Sequence, residues 1–448
     1  MVILDFILMA LYSFLAVSIV FTYVNISSLS FEDKKFMRIA ILIKVFGAIA
    51  FLLIYQYYFG YLGDAHSFYR DAIWHNNLLR ESPLEFINYA FGTFELKDLW
   101  ATTAVEPVNY HKGSREFFVT VMFSFVTLFG VGNYYASTIL FALITFGGYW
   151  LLYRVFSKQY PKLALGAFLC VFCLPSTVIW GSGMVKENLI LALLGVFLYH
   201  TYQTIERRKI SVRSSVLLVL AFLVIAKVKI YVVISLLPAI FVWVLPKILN
   251  GKRNIIVRKI VKPILVSVIL VSTISLAHQA TQKFEALSFD NFIGKAQSFQ
   301  DWHYKVGQNT AEEHGRGSSY TLGDYEATLF GTFKMIPASI NVTYFRPYLW
   351  EVKSPIVVLV ALESLILFLF FIYILSRKRL YTNINFVFSD SFLFMLIVYA
   401  LILGFLVGFT SYNFGALDRY KIPAMPFFIF ALAIVYHKIR LAENKIIY

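Results

Sequence analysis

Charge is what this chain has least of. Asp, Glu, Lys and Arg supply 15% of its 448 residues, where a soluble globular chain carries about 25%. Apolar residues supply 59%. Such a chain cannot clothe a water-facing surface, which excludes a soluble enzyme or binding module. Acids are scarcer than bases, 25 against 40, leaving a net charge of +15. That excess would suit a nucleic acid, but it is dispersed in short connections between apolar runs, where it serves topology. No nucleic-acid partner is expected. Cysteine is nearly absent. Cys170 and Cys173 share one apolar run, without the polar company that a metal or redox pair needs. The chain also lacks a tandem repeat, an HExxH metal motif and a basic leader before its first apolar run, where Asp5 is the one charge. That run reads as a span, not a signal peptide.

Apolar runs of about 20 residues recur along the whole length. They predict an all-α polytopic membrane protein, a single membrane domain over 1–448 with about eleven transmembrane helices. The runs lie near 2–23, 37–57, 133–153, 163–180, 187–204, 214–226, 230–246, 260–277, 355–375, 388–409 and 420–436. Forty-five Phe and 29 Tyr residues suit rings placed at membrane interfaces. More than half of the Lys and Arg residues fall in six short segments, 24–38, 154–162, 205–213, 246–262, 376–385 and the tail after 436. Basic connections stay cytoplasmic. The N-terminus is then outside and the C-terminus cytoplasmic, with two long loops outside, 58–132 and 279–354. Loops of that length exceed what a connector needs. Arg115 to Gly132 is apolar enough to span, but a span there would flip Arg154 outside, so Phe117–Phe129 reads as a helix in the outer interface. Ser214–Leu245, about 48 Å as a helix, reads as two short helices turning at Lys227 and Lys229.

Four charged clusters fall on the outer side in this topology. The first is Gly63-Asp64 to Tyr69-Arg70-Asp71, directly after the second span. Asp64 and Asp71 stand seven residues apart, which returns them to one face of a helix. His66, His75 and His111 share the loop and, with the acids, make a divalent metal conceivable. The second is Trp180-Gly181-Ser182-Gly183-Met184-Val185-Lys186-Glu187-Asn188, read as an outer hairpin, where an ionisable pair at re-entry is costly unless used or mutually paired. The third is Lys227 with Lys229, suited to snorkelling or to an anionic lipid group. The fourth runs from Tyr412 through Asp418, Arg419 and Lys421 to Pro423, with cations on the outer side against the charge rule. Acids in the first loop and cations at three helix ends suit a lipid-linked, phosphate-bearing substrate. A carboxylate takes the acceptor's proton and cations hold the leaving phosphate.

In their order these residues resemble the GT-C superfamily of integral-membrane glycosyltransferases, which includes protein O-mannosyltransferases and lipid A aminoarabinose transferases. The resemblance rests on Gly63-Asp64 with Tyr69, Leu128-Phe129-Gly130, Tyr149 to Arg154, Pro175 with Glu187, Lys227, and Arg419-Tyr420-Lys421-Ile422-Pro423-Ala424-Met425-Pro426. It covers most of 60–245 and 415–436. It departs in an extra N-terminal span, in Asp-Ala where members carry Asp-Glu, and in Lys186-Glu187 where members carry Asp. The resemblance implies a polyprenyl-phosphate-linked sugar donor, Asp64 as catalytic base, and Arg419 and Lys227 on the donor phosphate. Asp71 and Glu187 are the other candidate acids, and Lys186 and Lys229 the other candidate phosphate ligands. A glycan, lipid or protein is the expected acceptor, at a cell inner membrane.

Two further classes fit the layout. A repeat polymerase or ligase of the O-antigen type shares lipid-diphosphate donors and outer-loop arginines, here Arg115, Arg316 and Arg346. A transporter predicts midplane ionisable residues and related halves. Lys44 and Glu363 read as isolated in their spans, and the halves differ in loop length. Phe345-Arg346-Pro347-Tyr348-Leu349-Trp350-Glu351 matches no motif of the resembled family.

Overall fold

The computed structural model describes residues 3–60, 63–105, 108–207, 211–248, 298, 300–302, 304, 305, 319–323, 329–377 and 380–444. The described residues are overwhelmingly helical, and the chain is a membrane protein by the length and apolarity of those helices. Among them, eight helices are long and apolar enough to cross a bilayer. These are α1 (Ile3–Ile26), α2 (Phe31–Tyr57), α6 (Tyr134–Gln159), α9 (Lys186–Ile205), α11 (Ile230–Ile248), α14 (Pro355–Arg377), α16 (Ser391–Ser411) and α18 (Met425–Asn444). The shorter helices are α3 (Asp64–Glu81), α4 (Pro83–Phe91), α5 (Arg115–Phe129), α7 (Ala164–Phe172), α8 (Pro175–Ile179), α10 (Val212–Val228), α12 (Leu329–Lys334), α13 (Ile336–Phe345), α15 (Leu380–Ser389) and α17 (Phe414–Tyr420).

Three of the eleven expected spans account for the difference. The run at 163–180 is broken: α7 stops at Phe172, and Pro175, which cannot continue a helix hydrogen-bonded from before it, opens the single turn of α8. The run at 214–226 forms α10, whose 17 residues reach about 26 Å, short of a ~30 Å hydrocarbon core. The run at 260–277 lies outside the described residues, as does most of loop 279–354. The expected break at the lysines is present, with α10 ending at Val228 and α11 beginning at Ile230, but α11 is long enough to cross a bilayer, so the expected pair of short helices holds for α10 alone.

The chain divides into two compact units, each with its own core. One comprises Met1–Val155, Val171–Thr204 and Ile210–Lys229; the other comprises Phe156–Cys170, Ile205–Lys209 and Ile230–Tyr448. In the first, α1 packs on α2 and α3 packs on α5. Arg154 at the end of α6 pairs with Asp33 at the start of α2, and Tyr153 donates to the same carboxylate at 3.1 Å. In the second, α16 is the hub, packed by α11, α13 and α18. Its buried face includes Leu393, Met395, Tyr399 and Leu403. Tyr344 of α13 stacks on Phe428 of α18 at 4.0 Å and donates to the Ala400 carbonyl at 2.6 Å.

The segment between α2 and α6 carries a small helical layer. Ser114 caps α5 by accepting from the Phe117 amide at 3.0 Å. Phe117, Val119, Thr120, Val121, Phe123, Ser124, Val126 and Thr127 of α5 are buried, largely under α3, so this helix has the protein on most of its circumference. The element with an open apolar face is the neighbouring α4.

Candidate functional site

Asp64 opens α3 directly after Gly63, whose φ of 103° only glycine adopts without strain. Its charge, together with Glu116 and Asp71, helps raise the Tyr110 phenol above the usual tyrosine range, the largest contribution coming from burial. Tyr110 stacks on Phe68 at 5.0 Å, and Lys186 lies over the same Phe68 ring at 5.2 Å. Lys186 reaches Glu116 at 2.8 Å. Burial pushes the Glu116 carboxyl up, but Lys186, a backbone hydrogen bond and Arg115 together leave the net shift downward. Asp64, Tyr110, Glu116 and Lys186 therefore form one neighbourhood built from α3, α5 and the start of α9.

Asp71 is buried and committed. Its Oδ1 accepts from the Asn109 amide at 2.9 Å and from Asn109 Nδ2 at 2.6 Å, and its Oδ2 accepts from the Tyr110 amide at 2.8 Å. Those bonds hold the chain at 109–110 across α3 and so hold Tyr110 near Asp64. His75 is buried among Trp74, Tyr89 and Phe117, beside the Thr120 hydroxyl at 3.1 Å. Burial lowers its pKa to about 3, so it is neutral. Among the described residues, no three His, Cys, Asp or Glu side chains converge on a metal-sized site.

Immediately after Lys186, Glu187 is buried and pairs with Lys229 at 2.5 Å. This pair ties the start of α9 to the turn between α10 and α11. Lys227, on the last turn of α10, is exposed. Four of the sequence-predicted residues, Asp64, Lys186, Glu187 and Lys229, thus lie along one stretch of the first unit. Asp71 joins them through Tyr110.

The segment expected as an outer hairpin is a break between α8 and α9 packed inside the first unit. Residues 180–185 are buried throughout. Lys44, at the middle of α2, donates to the Gly181 carbonyl and to Asn188 Oδ1, the latter at 3.0 Å, and lies 3.4 Å over the Tyr149 ring. Tyr149, midway along α6, donates to the same Gly181 carbonyl at 2.9 Å. Asn188 Nδ2 donates to the Gly183 carbonyl at 2.9 Å. A break exposes carbonyls that no water reaches, and these three side chains satisfy them. The approach is close enough that a Cβ on Gly47 of α2 would sit 2.0 Å from the Val178 carbonyl oxygen. Lys44 is therefore not isolated. A lysine in mid-span was the available signal, because such a charge persists only where it has partners.

The second unit holds the fourth cluster. Asn413 caps α17 by accepting from the Gly415 amide at 2.8 Å, and the Ser319–Asn413 bridge lays Ser319 beside it. Arg419 is half-buried at the end of α17. Asp418 and Lys421 are buried and face each other at 3.5 Å. Burial, with Glu363 of α14 adding to it, lifts the Asp418 carboxyl to about 7 against the pull of Lys421. Glu363, too, is thus not isolated. The unmatched motif forms a rigid turn: Arg346 Nε bonds both Glu351 oxygens at 3.1 and 3.0 Å, and its guanidinium faces Tyr320, Phe414 and Tyr348. The chain matches no protein-family model, no curated protein and no solved structure.

Proposed function

We propose that this protein is a GT-C-like membrane glycosyltransferase that moves a sugar from a polyprenyl-phosphate donor to a glycan, lipid or protein acceptor. The reaction takes place on the outer face of a cell inner membrane, with the N-terminus outside and the C-terminus cytoplasmic. The observation that carries the reading is the neighbourhood of Asp64. A half-buried carboxylate opens an outer-segment helix beside a phenol and an ordered series of ion pairs, Lys186 with Glu116 and Lys229 with Glu187. Asp64 accepts the proton of the acceptor hydroxyl as that oxygen attacks the anomeric carbon. The bond from that carbon to the phosphate oxygen breaks, and the phosphate leaves as an anion. Lys186 and Lys229 each already hold a carboxylate, so a phosphate reaching them exchanges one anion for another. Lys227 is the exposed cation at that turn. Arg419 is the corresponding candidate in the second unit.

The test is transfer by the purified protein in proteoliposomes, with a panel of labelled polyprenyl-phosphate sugars. Asp64→Asn keeps the shape and removes the proton acceptor, so turnover falls by roughly 10²–10⁴-fold with donor binding kept. Transfer that survives the substitution unchanged, or no transfer with any donor, overturns the reading.

A second reading has its own observation. A helix interrupted between α7 and α9, pinned by the mid-helix Lys44, is the construction transporters use for a substrate site. Movement of a labelled lipid-linked sugar across proteoliposomes without covalent transfer would favour it.

A further inference from the structure

We propose that α4, together with Trp100, is a membrane-surface anchor that lies in the lipid interface and fixes there the C-terminal end of α3, the helix that Asp64 opens. The helix is short and sharply started, with Pro83 at its first position, where its missing N–H costs nothing. Leu84, Ile87 and Phe91 stand at i, i+3 and i+7 and share one face. They are 70%, 52% and 65% exposed, whereas Phe86 and Tyr89 on the opposite face are each 2% exposed. Trp100 is 90% exposed. Its exposure is held by design of the loop: Glu85 of α4 accepts from the Trp100 amide at 2.9 Å and the Ala101 amide at 3.2 Å. Glu81 accepts from Thr102 Oγ1 at 2.8 Å and the Thr103 amide at 3.2 Å. The indole is thereby fixed beside α4 rather than left to fold back.

The occupant of this face is lipid, because the face continues a lipid-facing surface. Phe91 of this face meets Phe86 edge-on at 6.4 Å, Phe86 meets the exposed Phe125 of α5 at 6.2 Å, and the exposed Phe129 follows one turn later on that helix. The Phe129 carbonyl accepts from Tyr12 of α1 at 2.7 Å. Along α1 most large apolar side chains are open, Ile7, Leu11 and Phe14 among them, as suits a helix in contact with acyl chains. The charges near α4 nearly balance, Glu81, Glu85, Glu95 and Asp98 against Arg80, Lys97 and Lys112, the last bonded to the Gly92 and Phe94 carbonyls at the end of the helix. Attraction to anionic headgroups is therefore not the driving force; apolar insertion of about 5–10 Å is. Asp64 opens α3 and α4 follows the other end of that helix, so the anchor would fix at the interface the C-terminal end of the helix that carries the carboxylate. The consequence for a lipid-linked phosphate rests on the proposed function; the anchor itself does not.

The test reads depth, not activity. Single cysteines at Leu84, Ile87, Phe91 and Trp100, on a Cys170→Ala, Cys173→Ala background, carry an environment-sensitive fluorophore in liposomes of phosphatidylcholine brominated on its upper acyl carbons. Glu95→Cys is the water-facing control. The expected result is blue-shifted emission and loss of emission to the brominated lipid at the four sites but not at Glu95. The loss should not change when phosphatidylglycerol replaces part of the phosphatidylcholine. Emission at the four sites that matches the control, with loss to aqueous iodide instead, overturns the anchor. So does protection from both quenchers, which would put a protein on this face. Neither outcome depends on whether a sugar is transferred.

Discussion

At the break before α9, a buried lysine is saturated; at the break between α16 and α18, a buried lysine is not. Lys44 spends its amine on the Gly181 carbonyl, the Asn188 amide oxygen and the Tyr149 ring. Lys421 is as deeply buried, yet its Nζ has Asp418 only at 3.5 Å, and neither that nitrogen nor Asp418 Oδ1 makes a hydrogen bond among the described residues. The two breaks belong to different units and solve the same problem of irregular backbone inside apolar surroundings. In the first unit the charged side chains are the solution. In the second, backbone caps from Asn413 do that work, and the charged pair is spare. The difference separates charges that hold the fold from charges available for something else.

The largest effect expected from this contrast is at the Glu187–Lys229 pair. Glu187→Gln leaves Lys229 buried without its carboxylate, a situation that costs about 3–5 kcal/mol. Chemical denaturation in detergent measures it. The double variant Glu187→Gln with Lys229→Met removes both charges and should recover most of the loss. If Glu187→Gln alone is neutral, the first break does not depend on its charges and the contrast collapses.

Asp71 comes next. Asp71→Asn replaces one of its acceptor oxygens with a donor facing the Asn109 or Tyr110 amide. Losing a charge-assisted bond and leaving a buried donor unmet costs about 1.5–3 kcal/mol. Asp71→Asn is therefore expected to lower stability, whereas Asp64→Asn lowers turnover at unchanged stability. Equal loss of stability in both variants would make Asp64 a structural acid like Asp71.

Much of this architecture was legible in the sequence because it is set by length and periodicity. Long apolar runs named most of the spans, and Lys227 and Lys229 marked the break between α10 and α11. What the sequence concealed was the partner of each charge. Asp71 and Asp64 look alike on a line; only folding brings the Asn109 and Tyr110 amides onto the Asp71 carboxylate and the Tyr110 phenol within the field of Asp64. Lys44 and Glu363 looked solitary because their partners lie more than 50 residues away. The apolar run at 163–180 hid its break, since Pro175 stops a helix only where neighbours satisfy the freed carbonyls. The helix at 115–129 hid how much of its surface α3 covers.

The spare pair predicts a smaller, pH-dependent effect. Asp418 has its carboxyl raised from 3.8 to about 7, chiefly by burial. The folded state then holds that proton more tightly than the unfolded chain does. The associated stability is fully present below pH 3.8 and is lost as pH rises through about 7. Asp418→Asn should flatten this part of the stability profile while leaving the behaviour of the first unit unchanged. A profile with the same slope in the variant would assign it to another group. Lys421→Met in the Asp418→Asn background should be neutral or stabilising, since a buried pair replaced on both sides commonly is.

The smallest effect belongs to the exposed acids that tether Trp100. Glu81 is bonded first by the Thr102 hydroxyl and then by the Thr102 and Thr103 amides, and these bonds pull its pKa from 4.5 down to about 2. The sign follows from the direction: a depressed carboxyl contributes stability above pH 4.5 that is lost as pH falls toward 2. Because Glu81 stands in solvent, screening keeps this contribution local. Hydrogen exchange at the Thr102 and Thr103 amides is the suitable measurement, compared with an alkaline-side reference after correction for intrinsic rates. Protection at those two amides should fall between pH 4.5 and 2 and should be weakened at neutral pH by Glu81→Gln, with no change at the α3 amides around Phe68. Full protection in Glu81→Gln would show that the loop is held without the carboxylate. Trp100 would then owe its position to Glu85 alone.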